Sequence, residues 1–157
     1  MTCLLDVNVL LRLTQPAHSQ HQESVEALTI VQRQRPCVLV PQTLYEFWVV
    51  ASRPVEVNGL GLSVSDVHQK ITDFMNIFRL LRDERTIFEN WLDLVVAHGI
   101  KGVRAHDARY VAAMKRHGIK YLLTFNERDF RKFSDIIVLT PSQTILRFKE
   151  TPDFLSP

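Results

Sequence analysis

The chain has 157 residues and a formal net charge of +2, and its composition is 46% hydrophobic and 23% charged. This length predicts a single domain over residues 1–157, and the apolar content excludes a disordered chain. No apolar run approaches the roughly 20 residues that cross a bilayer. The N-terminal apolar stretch contains the charged residues Asp6 and Arg12, whereas the apolar core of a secretory signal has no charged residue. We therefore expect a cytoplasmic protein.

In the first half of the chain, short apolar runs are typical of buried strands, and apolar residues spaced three or four apart are typical of helices. The elements predicted in order are a strand at 3–7, a helix from a capping box at Ser19 and Gln22 to Pro36, a strand at 37–40 and a helix from Pro41 to Ser52. The two strands contain Cys3 and Cys37, which we expect to be buried free thiols rather than a disulfide.

Helices predominate in the second half. The predicted elements are a loop at 55–62, a helix from a capping box at Ser63 and Asp66, a strand or helix tail at 77–81, helices at 87–98 and 107–117, strands at 121–124 and 136–139, and a helix at 141–148. Strands that alternate with helices predict an α/β protein with a mostly parallel sheet covered by helices on both faces.

Four acidic residues lie where a carboxylate needs an explanation. Asp6 ends the first strand, Asp107 opens a helix and Asp129 follows a buried strand. Glu46 belongs to a helix that is apolar on every side and therefore expected to be buried. Each acid has an ordinary structural explanation: an ion pair with a buried arginine for Glu46, and turn or helix-cap roles for the other three.

Taken together, the acids indicate a metal site. Asp6, Asn126 and Asp129 follow strands at their carboxyl ends, which share one edge of a parallel sheet, whereas topology alone does not place Asp107. Two carboxylates 4 Å apart repel each other by about 4 kcal/mol at an effective dielectric constant near 20. A divalent cation relieves that repulsion, and oxygen ligands favour Mg²⁺ or Mn²⁺, ions that support phosphodiester hydrolysis.

Four segments resemble the sequence blocks of PIN-domain nucleases, in particular the VapC-type toxins of bacterial toxin–antitoxin pairs. They are LLDVNVLLRL, YEFWVVASRP, HDARYVAAMKRHGI and LLTFNERDF, and the resemblance extends from Cys3 to about Thr140. It implies a three-layer α/β/α fold and an Mg²⁺- or Mn²⁺-dependent endoribonuclease that leaves a 5′-phosphate and a 3′-hydroxyl. It also implies a homodimer and a partner antitoxin that blocks the site.

The same resemblance assigns roles to individual residues. The catalytic and metal-binding carboxylates that it implies are Asp6, Glu46, Asp107 and Asp129. Asn126 offers a neutral oxygen to the metal, Asn8 supports the site, and Thr124 places a hydroxyl near it. Val7 departs from the family pattern, because a hydroxyl residue is common at that position.

Two alternatives remain. Because Asn126 is neutral, the chain could be a catalytically inactive PIN-like module that binds RNA or a protein. A phosphotransferase of the haloacid-dehalogenase type also begins with an aspartate after its first strand, but Asn8 stands where that family has a second aspartate. For Tyr45, Trp48 and Phe78 we expect packing in the core rather than contacts with a partner.

Overall fold

The computed structural model describes residues 2–155, in which a sheet lies between two layers of helices. The strands are β1 (Cys3–Leu5), β2 (Cys37–Leu39), β3 (Arg79–Leu80), β4 (Tyr121–Leu123) and β5 (Ile137–Leu139). The helices are α1 (Val7–Leu13), α2 (His21–Gln34), α3 (Pro41–Ser52), α4 (Val64–Ile77), α5 (Arg85–Ala97), α6 (Ala105–His117), α7 (Glu127–Phe130) and α8 (Pro141–Glu150). Short 3₁₀ turns occupy Val55–Val57 and Gly102–Arg104.

The strand order is β3-β2-β1-β4-β5, and every neighbouring pair is parallel. This confirms the predicted parallel sheet. β1 lies at its centre, with Leu4 opposite Val38 of β2 and Leu122 of β4. Because Leu5 pairs with Leu123, the residues that follow, Asp6 and Thr124, leave the sheet side by side at its carboxyl edge.

The two faces of the sheet carry separate hydrophobic cores. Successive side chains of a strand point to opposite faces, so Leu5 packs with apolar residues of α1 to α4, such as Phe47. Leu4 packs on the other face with residues of α6, including Val111 and Met114. The predicted arrangement of helices on both faces of the sheet is confirmed.

Two helices were not predicted. The segment expected to be a strand over 3–7 is a strand only to Leu5, and α1 begins immediately after Asp6. The four-residue helix α7 lies between β4 and β5, which sequence patterns joined directly. Parallel strands need a connection of about a dozen residues or more, and the segment 124–136 that contains α7 provides it.

Other local predictions had mixed outcomes. The capping box at Ser19 is wrong, because Gln20 is the N-cap of α2. The one at Ser63 is confirmed, since its hydroxyl oxygen accepts a 3.1 Å hydrogen bond from the Asp66 amide. Cys3 and Cys37 are buried and free, as predicted.

Within residues 2–155 no helix has the length and hydropathy needed to span a membrane.

Candidate functional site

Asp6 joins the central strand to the helix that follows it. It is the N-cap of α1, and its Oδ1 accepts a 2.6 Å hydrogen bond from the amide of Val7. Its Oδ2 accepts hydrogen bonds from Nδ2 of Asn8 at 2.7 Å and from Oγ1 of Thr124 at 2.5 Å. Only 5% of the residue is exposed, so this carboxylate is held rigidly by three donors at the carboxyl edge of the sheet.

Asn8 and Thr124 link the ends of β1 and β4 around Asp6. Nδ2 of Asn8 also donates to Oγ1 of Thr124 at 3.0 Å, and Oδ1 of Asn8 accepts from the amide of Phe125 at 3.1 Å. Oγ1 of Thr124 accepts from the amide of Asn126 at 2.9 Å. Both residues that the sequence placed near the site therefore contact Asp6 or its immediate neighbours.

Glu46 lies on α3 and is half-buried. Its Oε1 accepts a 2.7 Å hydrogen bond from Nε2 of Gln42, and its Oε2 accepts a 3.1 Å hydrogen bond from the Tyr110 hydroxyl. Among residues 2–155 no arginine or lysine forms an ion pair with Glu46. The ordinary explanation of a buried arginine pair is therefore wrong for the described part of the chain.

The expectation that α3 is buried on every side is also wrong. Phe47 is fully buried, but Tyr45 is 64% exposed, Trp48 37% and Val49 57%. The expected core positions of Tyr45 and Trp48 are therefore incorrect, whereas Phe78 does lie in the core. Sequence hydrophobicity alone does not distinguish a buried helix from one that has an exposed apolar face.

Asp107 and Asp129 lie in the first turns of two helices. Arg104 is the N-cap of α6 and Asp107 follows in its first turn, half-buried. Asn126 is the N-cap residue of α7, and its Nδ2 donates a hydrogen bond to Oδ2 of Asp129. The two residues that the sequence offered as alternatives in the last block are thus in direct contact.

The electrostatics show that the four carboxylates share one environment. Burial raises the pKa of Asp6 to about 6; the hydrogen bond from Thr124 opposes this rise, and the negative charges of Glu46 and Asp107 add to it. The pKa of Asp107 is also raised, by burial first and then by the charges of Asp129 and Glu46, whereas the positive charges of Lys132 and His106 oppose the rise. Each of the four acids therefore raises the pKa of at least one other or has its own raised by another.

The donor set suits a hard divalent cation. It consists of carboxylate, amide and hydroxyl oxygens, the ligands that Mg²⁺ and Mn²⁺ favour. None of Asp6, Glu46, Asp107 and Asp129 is in an ion pair within residues 2–155, so their charges are not neutralised by bound arginines or lysines. In that same part of the chain no three acidic, histidine or cysteine side chains form a preassembled metal cluster.

Two cavities adjoin the acidic residues. One, of ≈ 660 Å³, is lined by Glu46 together with Gln42, His106 and Arg109. The other, of ≈ 670 Å³, shares His106 and Arg109 and continues towards Trp91 on α5. Of the four cluster acids, only Glu46 lines either cavity, so the first cavity is the one next to the cluster.

Comparison with known proteins identifies the family. The PIN domain family matches residues 3–136. The chain belongs to the PIN domain family. No curated protein matches this PIN domain in sequence, so the more specific similarities come from solved structures.

Several of those structures are toxin–antitoxin proteins. VapBC2 from Rickettsia felis, bound to a promoter DNA fragment, has a TM-score of 0.65 at 14% identity, covering 89% of this chain and 98% of its own. A toxin–antitoxin complex from Klebsiella pneumoniae has a TM-score of 0.61 at 23% identity, with coverages of 89% and 98%. VapC20 from Mycobacterium tuberculosis, a Sarcin-Ricin loop cleaving toxin, has a TM-score of 0.66 at 13% identity, with coverages of 84% and 95%. The PIN domain described here thus shares its fold with VapC-type toxins.

Three residues next to the acids were not found from the sequence: Gln42, Arg109 and Tyr110. Gln42 lies four residues before Glu46 on one helix, a spacing that brings side chains together and was visible in the sequence. The hydroxyl of Tyr110 reaches Glu46 from another helix, and the packing of α3 beside α6 that allows this contact has no local sequence signal.

Proposed function

We propose that residues 1–157 form one PIN domain, that this domain is an Mg²⁺- or Mn²⁺-dependent endoribonuclease, and that it is the toxin of a toxin–antitoxin pair. One observation carries the proposal: four carboxylates from four different elements share one electrostatic environment at the carboxyl edge of the sheet, and none forms an ion pair within residues 2–155. Membership of the PIN family and the shared fold with VapC-type toxins support it.

Asp6, Glu46, Asp107 and Asp129, with the side-chain oxygen of Asn126, would hold one or two divalent ions. When bound, such an ion polarises the phosphodiester and stabilises the negative charge that develops on the leaving oxygen. The chain's own contribution is to hold Asp6, Glu46 and Asp129 in place by hydrogen bonds from neutral groups rather than by ion pairs that would neutralise them.

Binding of RNA phosphates requires positive charge around the acidic centre. Lys101 and Arg104 precede Asp107 on an exposed segment, and Arg128 and Lys132 flank Asp129 on another. All four side chains are exposed, and none is in an ion pair within residues 2–155. They are therefore available to hold the phosphates of a bound strand, which position a nucleic acid without reading its sequence.

The partners that we propose are a cognate antitoxin and a second copy of this chain, acting in the cytoplasm. Exposed apolar side chains support contacts with other proteins: Tyr45 and Val49 on α3, and Phe88, Leu92 and Val96 on α5. The last three are spaced four apart and line one side of their helix. Light scattering on the purified protein would give its oligomeric state, and a monomer would contradict the homodimer.

Cleavage of single-stranded RNA with Mg²⁺, with Mn²⁺ and with EDTA tests the activity. We expect cleavage only with metal, and none from purified Asp6→Asn. The control is Asp93→Asn, which removes an exposed carboxylate on α5 and should cleave normally. Metal-dependent cleavage by Asp6→Asn would contradict the proposed site. Binding of RNA without any cleavage by the wild type would favour the inactive binding module instead.

Growth of a bacterial host tests the toxin role. Expression of the wild type should arrest growth, and expression of Asp6→Asn should not. If a small protein is encoded next to this chain, its co-expression should restore growth when it is the antitoxin. If the wild type cleaves RNA but its expression does not slow growth, the chain is a ribonuclease and the proposed toxin role is contradicted.

A further inference from the structure

Gln42 connects two of the helices that carry acidic residues. It lies in the first turn of α3 and is only 4% exposed. Its Nε2 donates to Oε1 of Glu46 at 2.7 Å and to the backbone carbonyl of His106, in α6, at 2.9 Å. Because Asp107 is the next residue along α6, one amide group contacts both Glu46 and the peptide that precedes Asp107.

The orientation of this amide is determined by its neighbours. A backbone carbonyl only accepts hydrogen bonds and a guanidinium only donates them. Nε2 must therefore face the carbonyl of His106, and Oε1 must face Nη1 of Arg109, which lies 3.2 Å away. With the amide fixed in this way, the group that Gln42 presents to Glu46 is always a donor.

On the side away from Gln42, the Arg109 guanidinium contacts Asp83. Its Nη2 forms a 2.8 Å ion pair with Asp83, in the segment between β3 and α5. The side chains Asp83, Arg109, Gln42 and Glu46 thus form one continuous chain of hydrogen bonds. The Asp83 side chain is 38% exposed, so the chain runs from solvent to the acidic cluster.

We propose that Gln42 is a positioning residue that orients Glu46 and the start of α6 for divalent-ion binding, and that Arg109 and Asp83 act through it. The inference rests on the proposed function. Gln42 and the Tyr110 hydroxyl each donate to a different oxygen of Glu46. These two contacts fix the plane of the carboxylate and leave its other lone pairs available to an ion.

The substitution Gln42→Met tests this inference, because it keeps the length of the side chain and removes both polar groups. Hydrogen-bonding partners of metal-ligating carboxylates contribute about 10–100-fold to metal affinity or activity. We expect the dissociation constant for Mn²⁺, measured without RNA by electron paramagnetic resonance, to rise by a factor in that range. The KM for RNA at saturating Mn²⁺ should not change.

Gln69→Met is a matched control. Gln69 also donates to an acid four residues later on a helix, since its Nε2 lies 2.9 Å from Oδ1 of Asp73. That pair is on α4, away from the acidic cluster. Gln69→Met should therefore leave Mn²⁺ affinity, KM and kcat at their wild-type values.

A double-mutant cycle tests whether Arg109 acts through Gln42. Arg109→Met alone should weaken Mn²⁺ binding, but adding it to Gln42→Met should weaken binding no further, because residues of one network are not additive. If Arg109 instead contacts RNA directly, Arg109→Met will raise the KM for RNA and leave Mn²⁺ affinity unchanged. That result would overturn the role given to Arg109 and Asp83.

Folding of each variant is checked by circular dichroism. If Gln42→Met does not fold, Asp83→Ala decides, because it removes the partly exposed acceptor of Arg109 and must still weaken Mn²⁺ binding. Wild-type Mn²⁺ affinity in folded Gln42→Met, or in Asp83→Ala when the first variant is unfolded, overturns the inference. A wild type that neither binds Mn²⁺ nor cleaves RNA refutes the proposed function instead, so the two failures are distinguishable.

Discussion

The substitution Asp6→Asn should change the pH dependence of stability in metal-free protein. Burial is the main cause that raises the pKa of Asp6 from its ordinary 3.8 to about 6. The folded protein therefore binds this proton more tightly than the unfolded chain does. The protonated Asp6 side chain therefore stabilises the folded protein relative to the unfolded chain. This contribution to the free energy of unfolding is fully present below pH 3.8 and is lost as the pH rises through 6. A difference of about two pKa units corresponds to about 3 kcal/mol.

The measurement is urea unfolding in EDTA at several values between pH 4 and pH 8. The free energy of unfolding of the wild type should fall by about 2.4 kcal/mol relative to Asp6→Asn across this range, since part of the ~3 kcal/mol is lost only below pH 4. The difference between the two proteins removes the titration of acids that they share. The variant also loses a hydrogen bond, because an amide nitrogen cannot accept from Val7, Asn8 or Thr124 as the replaced oxygen does. That loss costs about 1 kcal/mol and does not depend on pH.

Asp93→Asn provides the comparison for an exposed carboxylate. Its stability should run parallel to that of the wild type over the whole range. If Asp6→Asn also runs parallel to the wild type, the Asp6 carboxylate has no raised pKa in the folded protein. The account of a buried, repelled carboxylate at the edge of the sheet would then be incorrect.

Three further predictions concern the other acids and the core. Glu46→Gln should unfold in EDTA at the wild-type temperature or above it, because the glutamine can accept a hydrogen bond from Gln42 and donate one to Tyr110. When Mn²⁺ is added, the Tm of this variant should rise less than the Tm of the wild type. A Tm several degrees below that of the wild type in EDTA would contradict this prediction. Asp129→Asn should reduce the kcat for RNA cleavage more than Asn126→Ala does, because only the first removes a charge; the reverse order would give the principal role to Asn126. Leu4→Ala should lower the free energy of unfolding in urea by about 2–5 kcal/mol, because the side chain is fully buried at the centre of the sheet; a loss below about 1 kcal/mol would contradict that packing.

Most of the fold follows from local patterns. The apolar runs at 37–40 and 121–124 contain β2 and β4, because parallel strands buried on both faces need no polar alternation. The pattern fails at α1, where apolar residues continue from strand into helix and the change of element is marked only by the cap at Asp6. It fails at α7 because four residues are too few to show a period.

The site divides in the same way. The positions of Asp6 and Asn126 after neighbouring strands follow from the topology of a parallel sheet. Contacts between helices do not follow from it: the reach of Tyr110 to Glu46, and of Arg109 to Gln42, depends on how α3 lies against α6. The exposure of Tyr45 could not be predicted either, because a surface available to a partner is as apolar in sequence as a core. Binding of metal by the four acids stays a prediction.

Acids inside the cluster and acids outside it have different kinds of partner, and this difference bears on function. The acids outside the cluster that form ion pairs do so with arginines: Asp83 with Arg109, Glu84 with Arg116, Glu89 with Arg85 and Glu127 with Arg131. Three acids of the cluster, Asp6, Glu46 and Asp129, receive hydrogen bonds from neutral groups instead, such as the hydroxyls of Thr124 and Tyr110. Neutral donors fix a carboxylate in space without cancelling its charge.

That choice of partners has a cost in the metal-free protein, because burial and mutual repulsion both oppose ionisation of Asp6. An arginine at the same place would remove the cost, but it would also occupy the oxygens and neutralise the charge that a cation needs. A divalent ion that binds only the folded protein offsets the repulsion and stabilises it by mass action. The proposed ion site therefore predicts that folding stability and ion binding are coupled at this edge of the sheet. The pH dependence of Asp6→Asn and the Mn²⁺ response of Glu46→Gln measure the two sides of that predicted coupling.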